Sequence, residues 1–320
     1  MTELLLRLPT RHGPPTGLGP VPRDVRADHY GPLERLFQTG RAAETAGLGG
    51  VLVPHDPLGE ESWTVAAGLL RHSRHLRVVA EFHPGFATPV YAAKMAVTLQ
   101  RFSAQRLGWR PALDGDAAEH AAQGDFLSGP DRYRRADEFL TAAKGVWTRR
   151  PFSFEGRFYR VLEGGFDAPL TGWAFPRVYL SGTGEEALEL SARHADVHLL
   201  GPADDIKAVR AELAGRSARW GRDVELGVEL SVLARDDTAE ARADAGSDAG
   251  PHWEGFAGLG HTLPSGLVGS YDDVAALFDD YARRGVRTFS VEALPALPEA
   301  YRLGERLLPA LAEQEQARVR

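Results

Sequence analysis

The sequence predicts a single α/β domain closed as a (β/α)8 TIM-like barrel with an inserted β-hairpin. Three observations carry that expectation. Short apolar runs alternate with helical patterns along the whole chain, the signature of a parallel sheet. The strand-plus-helix units number eight, which is the count that closes a parallel barrel. No low-complexity linker divides the 320 residues, so residues 1–320 read as one domain. A doubly wound open sheet is the alternative arrangement of the same pattern.

The elements follow in order. Leu4–Leu8 reads as the first strand, and Leu33–Ala46 as a helix that Gly47 closes. Gly50–Pro54 is the second strand. Glu60–Ser73 is a helix whose first turn is acidic, where the helix dipole favours carboxylates. Leu76–Phe82 is the third strand. Thr88–Ser103 follows as a helix, with Thr88 at the N-cap and Pro89 at the first helical position. Arg106–Arg110 is the fourth strand and Asp131–Thr148 the next helix. About 152–162, alternation around Glu155-Gly156 breaks the repeat and predicts the hairpin.

Arg177–Ser181 resumes as the fifth strand, with a helix from Gly184 to Ala195. Asp196–Leu200 is the sixth strand, followed by a helix to Trp220, and Val224–Ala234 is a long seventh strand. The segment about 240–266 starts helical and dissolves into Gly, His and Pro, so it reads as a mobile loop. Ser270–Gly285 is a helix, Arg287–Ala293 the eighth strand and Pro298–Gln316 the closing helix.

Composition excludes several classes of function. The net charge is −7 and no basic stretch stands out, so no nucleic-acid or anionic-membrane partner is expected. The absence of cysteine rules out disulfides, thiolate metal sites and cysteine nucleophiles, and it fits a cytoplasmic protein. The three-Leu run in "MTELLLRLPTRHG" is too short for a signal segment or a membrane span. No GxGxxG follows the first strand, and GxxxxGK[ST], HExxH and GxSxG are missing. A Rossmann site has no support, and no metal site is expected.

In a parallel barrel, chemistry gathers at the C-terminal ends of the strands. Those ends carry Thr10-Arg11-His12, His55-Asp56, His83, Arg110, Ser181–Gly184, His198, Glu229 with Ser231, and Glu292. Histidine is the side chain most easily poised for proton transfer near neutrality. His12, His55 and His83 are therefore the candidate catalytic residues, and capping a loop is the other role open to each. Glu292 could equally be a buried partner for an arginine. "YLSGTGEEALEL" ends a strand in a glycine corner that opens a helix. Gly182 and Gly184 permit a close backbone approach, the first amides of the helix lack partners, and Thr183 adds a hydroxyl. The corner reads either as an anion cradle or as a tight turn.

Several stretches together resemble the luciferase-like flavin monooxygenases, with the alkanesulfonate monooxygenases as the nearest subgroup. They are "GLGGVLVPHDPLGEESWTVAAGLL", "LRVVAEFHPGFATPVYAAKMAVTLQRFSAQRL", "RYRRADEFLTAAKGVW", "FSFEGRFYRV" and "SYDDVAALFDDYARRGVRTFSVEALPALPEAYRL". The resemblance covers most of the chain. It implies a barrel with an insertion and reduced FMN delivered by a separate flavin reductase. It also implies O2 activated at the flavin C4a position, a small-molecule substrate, and a homodimer or homotetramer. Deazaflavin is the alternative cofactor. The positions matching the family's FMN-phosphate contacts are Tyr133, Gly182, Thr183 and Gly184.

The match breaks at the strand-seven and strand-eight ends. Where the alkanesulfonate enzymes carry an Arg-x-His pair, this chain has Glu229 and Ser231. A glutamate there repels a sulfonate, which the arginine would have paired. The family's loop arginine is also missing from "GFAGLGHTLPSG", which holds His261 instead. The expected function is thus an FMNH2-dependent monooxygenase acting on a substrate other than a simple alkanesulfonate. The alternative is a non-catalytic subunit that pairs with an active, related barrel as a heterodimer.

Overall fold

The computed structural model describes residues 2–11, 32–113, 115, 117–246 and 249–319. Its barrel strands are β1 (Glu3–Arg7), β2 (Gly50–Val53), β3 (Arg77–Phe82) and β4 (Leu107–Pro111) in the first half. After them come a hairpin of β5 (Phe152–Glu155) and β6 (Arg160–Gly164), then β7 (Arg177–Ser181), β8 (Val197–Leu200) and β9 (Glu225–Arg235). The strands β10 (His252–Trp253), β11 (Gly266–Ser270) and β12 (Val286–Glu292) end the series. The order β1-β2-β3-β4-β7-β8-β9-β12 returns to β1 through parallel pairs throughout, so the sheet closes as an eight-stranded barrel.

Helices fill the connections: α1 (Pro32–Thr45), α2 (Ser62–His72), α3 (Pro89–Phe102), α4 (Ala117–Ala122), α5 (Pro130–Thr148) and α6 (Glu185–His194). The set continues with α7 (Ile206–Ser217), α8 (Thr238–Ala245), α9 (Tyr271–Arg283), α10 (Ala296–Arg302) and α11 (Leu308–Val319). Their starts follow the sequence. Thr88 Oγ1 accepts from the Tyr91 amide with Pro89 next in line, and Ser270 forms a capping box with Asp273.

Strand alternation sorts side chains into two cores. One parity (Leu4, Leu6, Val51, Val78, Val178, Phe289) packs outward under the helices. The other fills the lumen, where Leu5, Leu52, Val79, Tyr179, Val197 and Leu199 form an apolar plug. Charged layers lie on both sides of that plug. At the N-terminal end Glu3 and Glu225 pair with Arg177, and Arg77 joins Glu3. At the C-terminal end stand Arg7, Glu81, Arg110 and Glu229.

The segment about 240–266 is where expectation and structure part. Among its described residues it carries the end of α8, β10 and a 3-10 turn at Phe256–Leu259, and it leads into β11. Phe256, Leu233, Ala241, Ala245, Ala249 and Val268 form a satellite core with Trp253 against it. Strand β11 lengthens the sheet beside β9, pairing Gly266 with Ser231 and Ser270 with Arg235. Here glycine is required by space: a Cβ at Gly266 would lie 1.9 Å from the Ser231 carbonyl oxygen.

Candidate active site

Two features converge at the C-terminal mouth. The first is a cavity of about 790 Å3 bordered by Arg7, Thr10, His55, Glu81, Ser181, His261 and Glu292, among others. The second is the glycine corner that follows Ser181. A larger groove of about 990 Å3 runs outside the barrel between α2 and α3, and His55 and His83 border it.

The mouth floor is a four-membered charge network. Arg110 donates to both oxygens of Glu229 at 2.7 and 2.6 Å, and its Nε lies 3.3 Å from Glu81. Arg7 approaches Glu81 at 3.4 Å and Glu229 at 3.8 Å. Burial alone would raise the Glu229 pKa, but Arg110 and Arg7 outweigh it and hold the carboxyl below its ordinary value. Both arginines are thus committed to carboxylates of the barrel. Among the described residues Glu292 has no arginine partner. Its carboxylate accepts from the Thr262 amide at 2.9–3.0 Å, the Thr262 hydroxyl and the Leu263 amide at 2.8 Å, tying that loop to β12.

The three candidate histidines have different fates. His12 lies outside the described residues. His55 is half-buried at the rim and borders the mouth. Its amide donates to Glu81, and its Nε2 lies 2.9 Å from Gln123 Oε1. The Gln123 amide nitrogen donates to the Glu119 carbonyl. The glutamine oxygen therefore faces the ring, His55 Nε2 carries the proton, and Nδ1 keeps the lone pair.

His83 is buried and uses both ring nitrogens. The Gly85 amide donates to Nδ1 at 3.2 Å, so Nε2 carries the proton and donates to Asp125 Oδ2 at 2.9 Å. Burial, with the Arg135 guanidinium adding to it, lowers the ring's pKa to about 4. His83, His120 and Asp125 bring ligand atoms within 4.8 Å of one another, a spacing that suits a metal. However, Arg135 binds both Asp125 oxygens at 2.9 and 2.8 Å, and its Nη2 stands 3.3 Å from His83 Nε2. A guanidinium already holds the cation position. His198 sits at 0 % exposure on the outward face of β8, bonded to Ser191 of α6, away from the mouth.

At the glycine corner, Gly182 adopts φ +105, and a Cβ there would meet Ala187 at 2.9 Å and the Tyr133 hydroxyl at 3.6 Å. Gly184 is the N-cap of α6 with no side-chain cap, and nothing lies within 4 Å of where its Cβ would stand. Gly182 therefore lies beside the Tyr133 hydroxyl, and exposed Thr183 and Gly184 follow it at the N-terminus of α6. Glu185 and Glu186 in the first turn weaken its field, although Glu185 approaches Arg216 at 4.0 Å. A phosphate fits the geometry: open space at Gly184, a helix N-terminus with no side-chain cap among the described residues, and the Thr183 and Tyr133 hydroxyls nearby.

Sequence reasoning missed Arg7, Glu81, Gln123, Asp125 and Arg135 as parts of this region. Arg7 and Glu81 were legible in principle, because each shares the lumen-facing parity of its strand. The other three come from segments with no strand register to count from.

A closed parallel barrel with a cavity at its C-terminal mouth and a helix N-terminus beside it defines the class: a (β/α)8 barrel with its candidate site at the strand C-termini. The luciferase-like monooxygenase family model matches residues 2–288, and the chain belongs to that family. Solved structures agree in fold. A riboflavin lyase with modified FMN and riboflavin is 17% identical, with 98% of this chain and 92% of that one covered and a TM-score of 0.76. The EDTA monooxygenase from Chelativorans sp. BNC1 is 16% identical over 98% and 94%, with a TM-score of 0.77. An F420-dependent secondary alcohol dehydrogenase in complex with an F420-acetone adduct is 16% identical over 97% and 99%, with a TM-score of 0.70. Among the described residues no helix is long and apolar enough to cross a membrane.

Proposed function

We propose that this chain is a reduced-flavin-dependent monooxygenase that acts with O2 on a small uncharged organic substrate. Reduced FMN would come from a separate reductase. The observation that carries the reading is continuity: Ser181 borders the 790 Å3 mouth, and the next three residues are the open glycine corner. A ligand whose phosphate was held at Gly182–Gly184 would have Ser181 and the mouth next to it. Bound reduced flavin supplies the electrons and activates O2.

The chain's own groups supply the rest. The α6 amides, the Thr183 hydroxyl and the Tyr133 hydroxyl would hold the phosphate. His55 presents Nδ1 at the rim, its Nε2 being turned to Gln123. His83, with both nitrogens engaged, positions Asp125 and Arg135 and moves no proton to a ligand. A sulfonate is disfavoured because Arg7 and Arg110 are already neutralised by Glu81 and Glu229, and freeing either would leave two largely buried carboxylates sharing one arginine.

Anaerobic fluorescence titration with reduced FMN tests the reading. Thr183→Ala and Tyr133→Phe each remove one hydrogen bond to a charged group, about 1.5–3 kcal/mol, so each weakens binding roughly 10- to 150-fold. No measurable affinity in the wild type would sink it. The likeness to the F420-dependent enzyme supports deazaflavin as the second reading, and a parallel titration with reduced deazaflavin separates the two.

A further inference from the structure

The loop that crosses the mouth is anchored from three sides. Phe256, at 0 % exposure, plugs the satellite core, and the His261 ring lies 4.9 Å from it. Gly260 turns the chain through φ +87, after which Thr262 and Leu263 bind the Glu292 carboxylate. Ser231, on the lumen face of β9, donates its hydroxyl to the Leu263 carbonyl and bonds the His261 ring on the same oxygen.

The protons on that hydroxyl can be assigned. Ser231 Oγ lies 2.7 Å from the Leu263 carbonyl oxygen and 2.8 Å from His261 Nδ1. A carbonyl only accepts, so the serine proton points to Leu263. Nδ1 must then donate to Oγ. The opposite assignment leaves two oxygens 2.7 Å apart with no proton between them. His261 is thus an Nδ1–H tautomer, and its lone pair is on Nε2, which has no partner among the described residues. The same assignment removes Ser231 as a nucleophile activated by His261, because its proton is already committed elsewhere.

We propose that His261 is a proton acceptor of the barrel mouth, its tautomer fixed by Ser231, taking a proton on Nε2 from an O–H or N–H of an uncharged molecule in the cavity. The ligand's O–H or N–H bond breaks and Nε2–H forms. The ligand gains one negative charge and the imidazole one positive charge, with no change of oxidation state. This rests on the mouth being the site of chemistry.

The charges around the ring suit the role. Burial lowers the pKa of His261, so the ring is neutral and basic near pH 7, while Glu292 on β12 favours the imidazolium once formed. From β1, Arg7 reaches the Thr262 hydroxyl at 3.3 Å, and its charge is balanced by Glu81 and by Glu229 of β9. The other charges bordering the cavity are the Arg11–Asp56 pair and Glu119.

Two measurements on the flavin-free protein test this. Two-bond 1H–15N spectra, assigned with His261→Gln, are expected to show a neutral Nδ1–H ring at pH 7. Ser231→Ala is expected to lose the tautomer preference, and Glu292→Gln to move the titration midpoint to lower pH. An Nε2–H ring or a charged ring in the wild type at pH 7 overturns the proposal without recourse to any variant. Acylation by diethyl pyrocarbonate, mapped by peptide mass, is expected at His261, and an unreactive ring overturns it because a shielded nitrogen cannot reach a ligand proton. Neither readout needs flavin, so failure of the FMN titration and failure of this assignment are distinguishable.

Discussion

At the residue scale, the most consequential pair is Arg110–Glu229. Read along the chain, Glu229 is only a negative charge on strand seven. Its partners come from strands one and four, more than a hundred positions away, and no local pattern links them. Glu292 teaches the same lesson in reverse: a strand-end carboxylate for which an arginine partner is one of two readings open in the sequence binds loop amides, because backbone donors leave no trace in residue identity. Arg110 is 5% exposed and the Glu229 side chain 16%. Removing one partner therefore leaves the other charge poorly solvated, at a cost of about 3–5 kcal/mol. Arg110→Ala and Glu229→Ala should each lower the urea midpoint by that free energy. An Arg110→Met, Glu229→Leu double variant should lose less than the sum, because no charge is stranded. Additive losses would show that the pair is not a unit.

At the scale of elements, α5 explains why "RYRRADEF" is a recognisable pattern. Successive helical residues point about 100° apart, so each of these reaches a different neighbour. Arg135 binds Asp125, Asp137 binds Arg193 and His194, and Phe139 enters the core at 0 % exposure. Glu138 accepts from the amides of Arg157, Phe158 and Tyr159 at 2.8, 2.8 and 3.1 Å and so holds the hairpin turn. Gly156 is a glycine because a Cβ there would lie 2.3 Å from the Glu138 carboxylate. Glu138→Ala should cost about 1–3 kcal/mol and speed amide exchange at residues 157–159, leaving barrel strands protected. Unchanged exchange at those amides would mean that water or another side chain serves the turn equally well. The hairpin was legible because its alternation is local. Strand β11 was not, because "GLVGS" has two glycines in five residues and is held extended only by its neighbour β9.

At the scale of the whole molecule, closure was legible from the eightfold count, since the right-handed crossovers of eight such units leave few other arrangements. The protonation balance of the folded state was not, because burial of a histidine depends on which face of its strand or helix it occupies. His83, His194 and His198 are each lowered to about 4, in every case chiefly by burial. A histidine whose folded pKa lies below its unfolded value of about 6.5 binds its proton more readily in the unfolded chain. Its contribution is therefore fully present above about pH 6.5 and is lost as pH falls toward 4. Asp125, lowered to about 2 because Arg135 and the Leu127 amide outweigh its burial, loses its contribution only below its unfolded value, at lower pH still. The protein should accordingly lose stability in weak acid, on the order of 3 kcal/mol per histidine by pH 4. That sum is comparable to the whole stability of a typical domain. His198 offers the cleanest test, since burial is the only cause of its shift and Ser191 its only hydrogen-bond partner among the described residues. In urea unfolding at a series of pH values, His198→Asn should reduce the slope of free energy against pH between about 6.5 and 4 by up to about 1.4 kcal/mol per unit, one proton's worth. At neutral pH the asparagine amide can still reach Ser191, so the midpoint should move little there. An unchanged slope would show that His198 takes up its proton in the folded barrel, and that the outer layer between β8 and α6 admits charge.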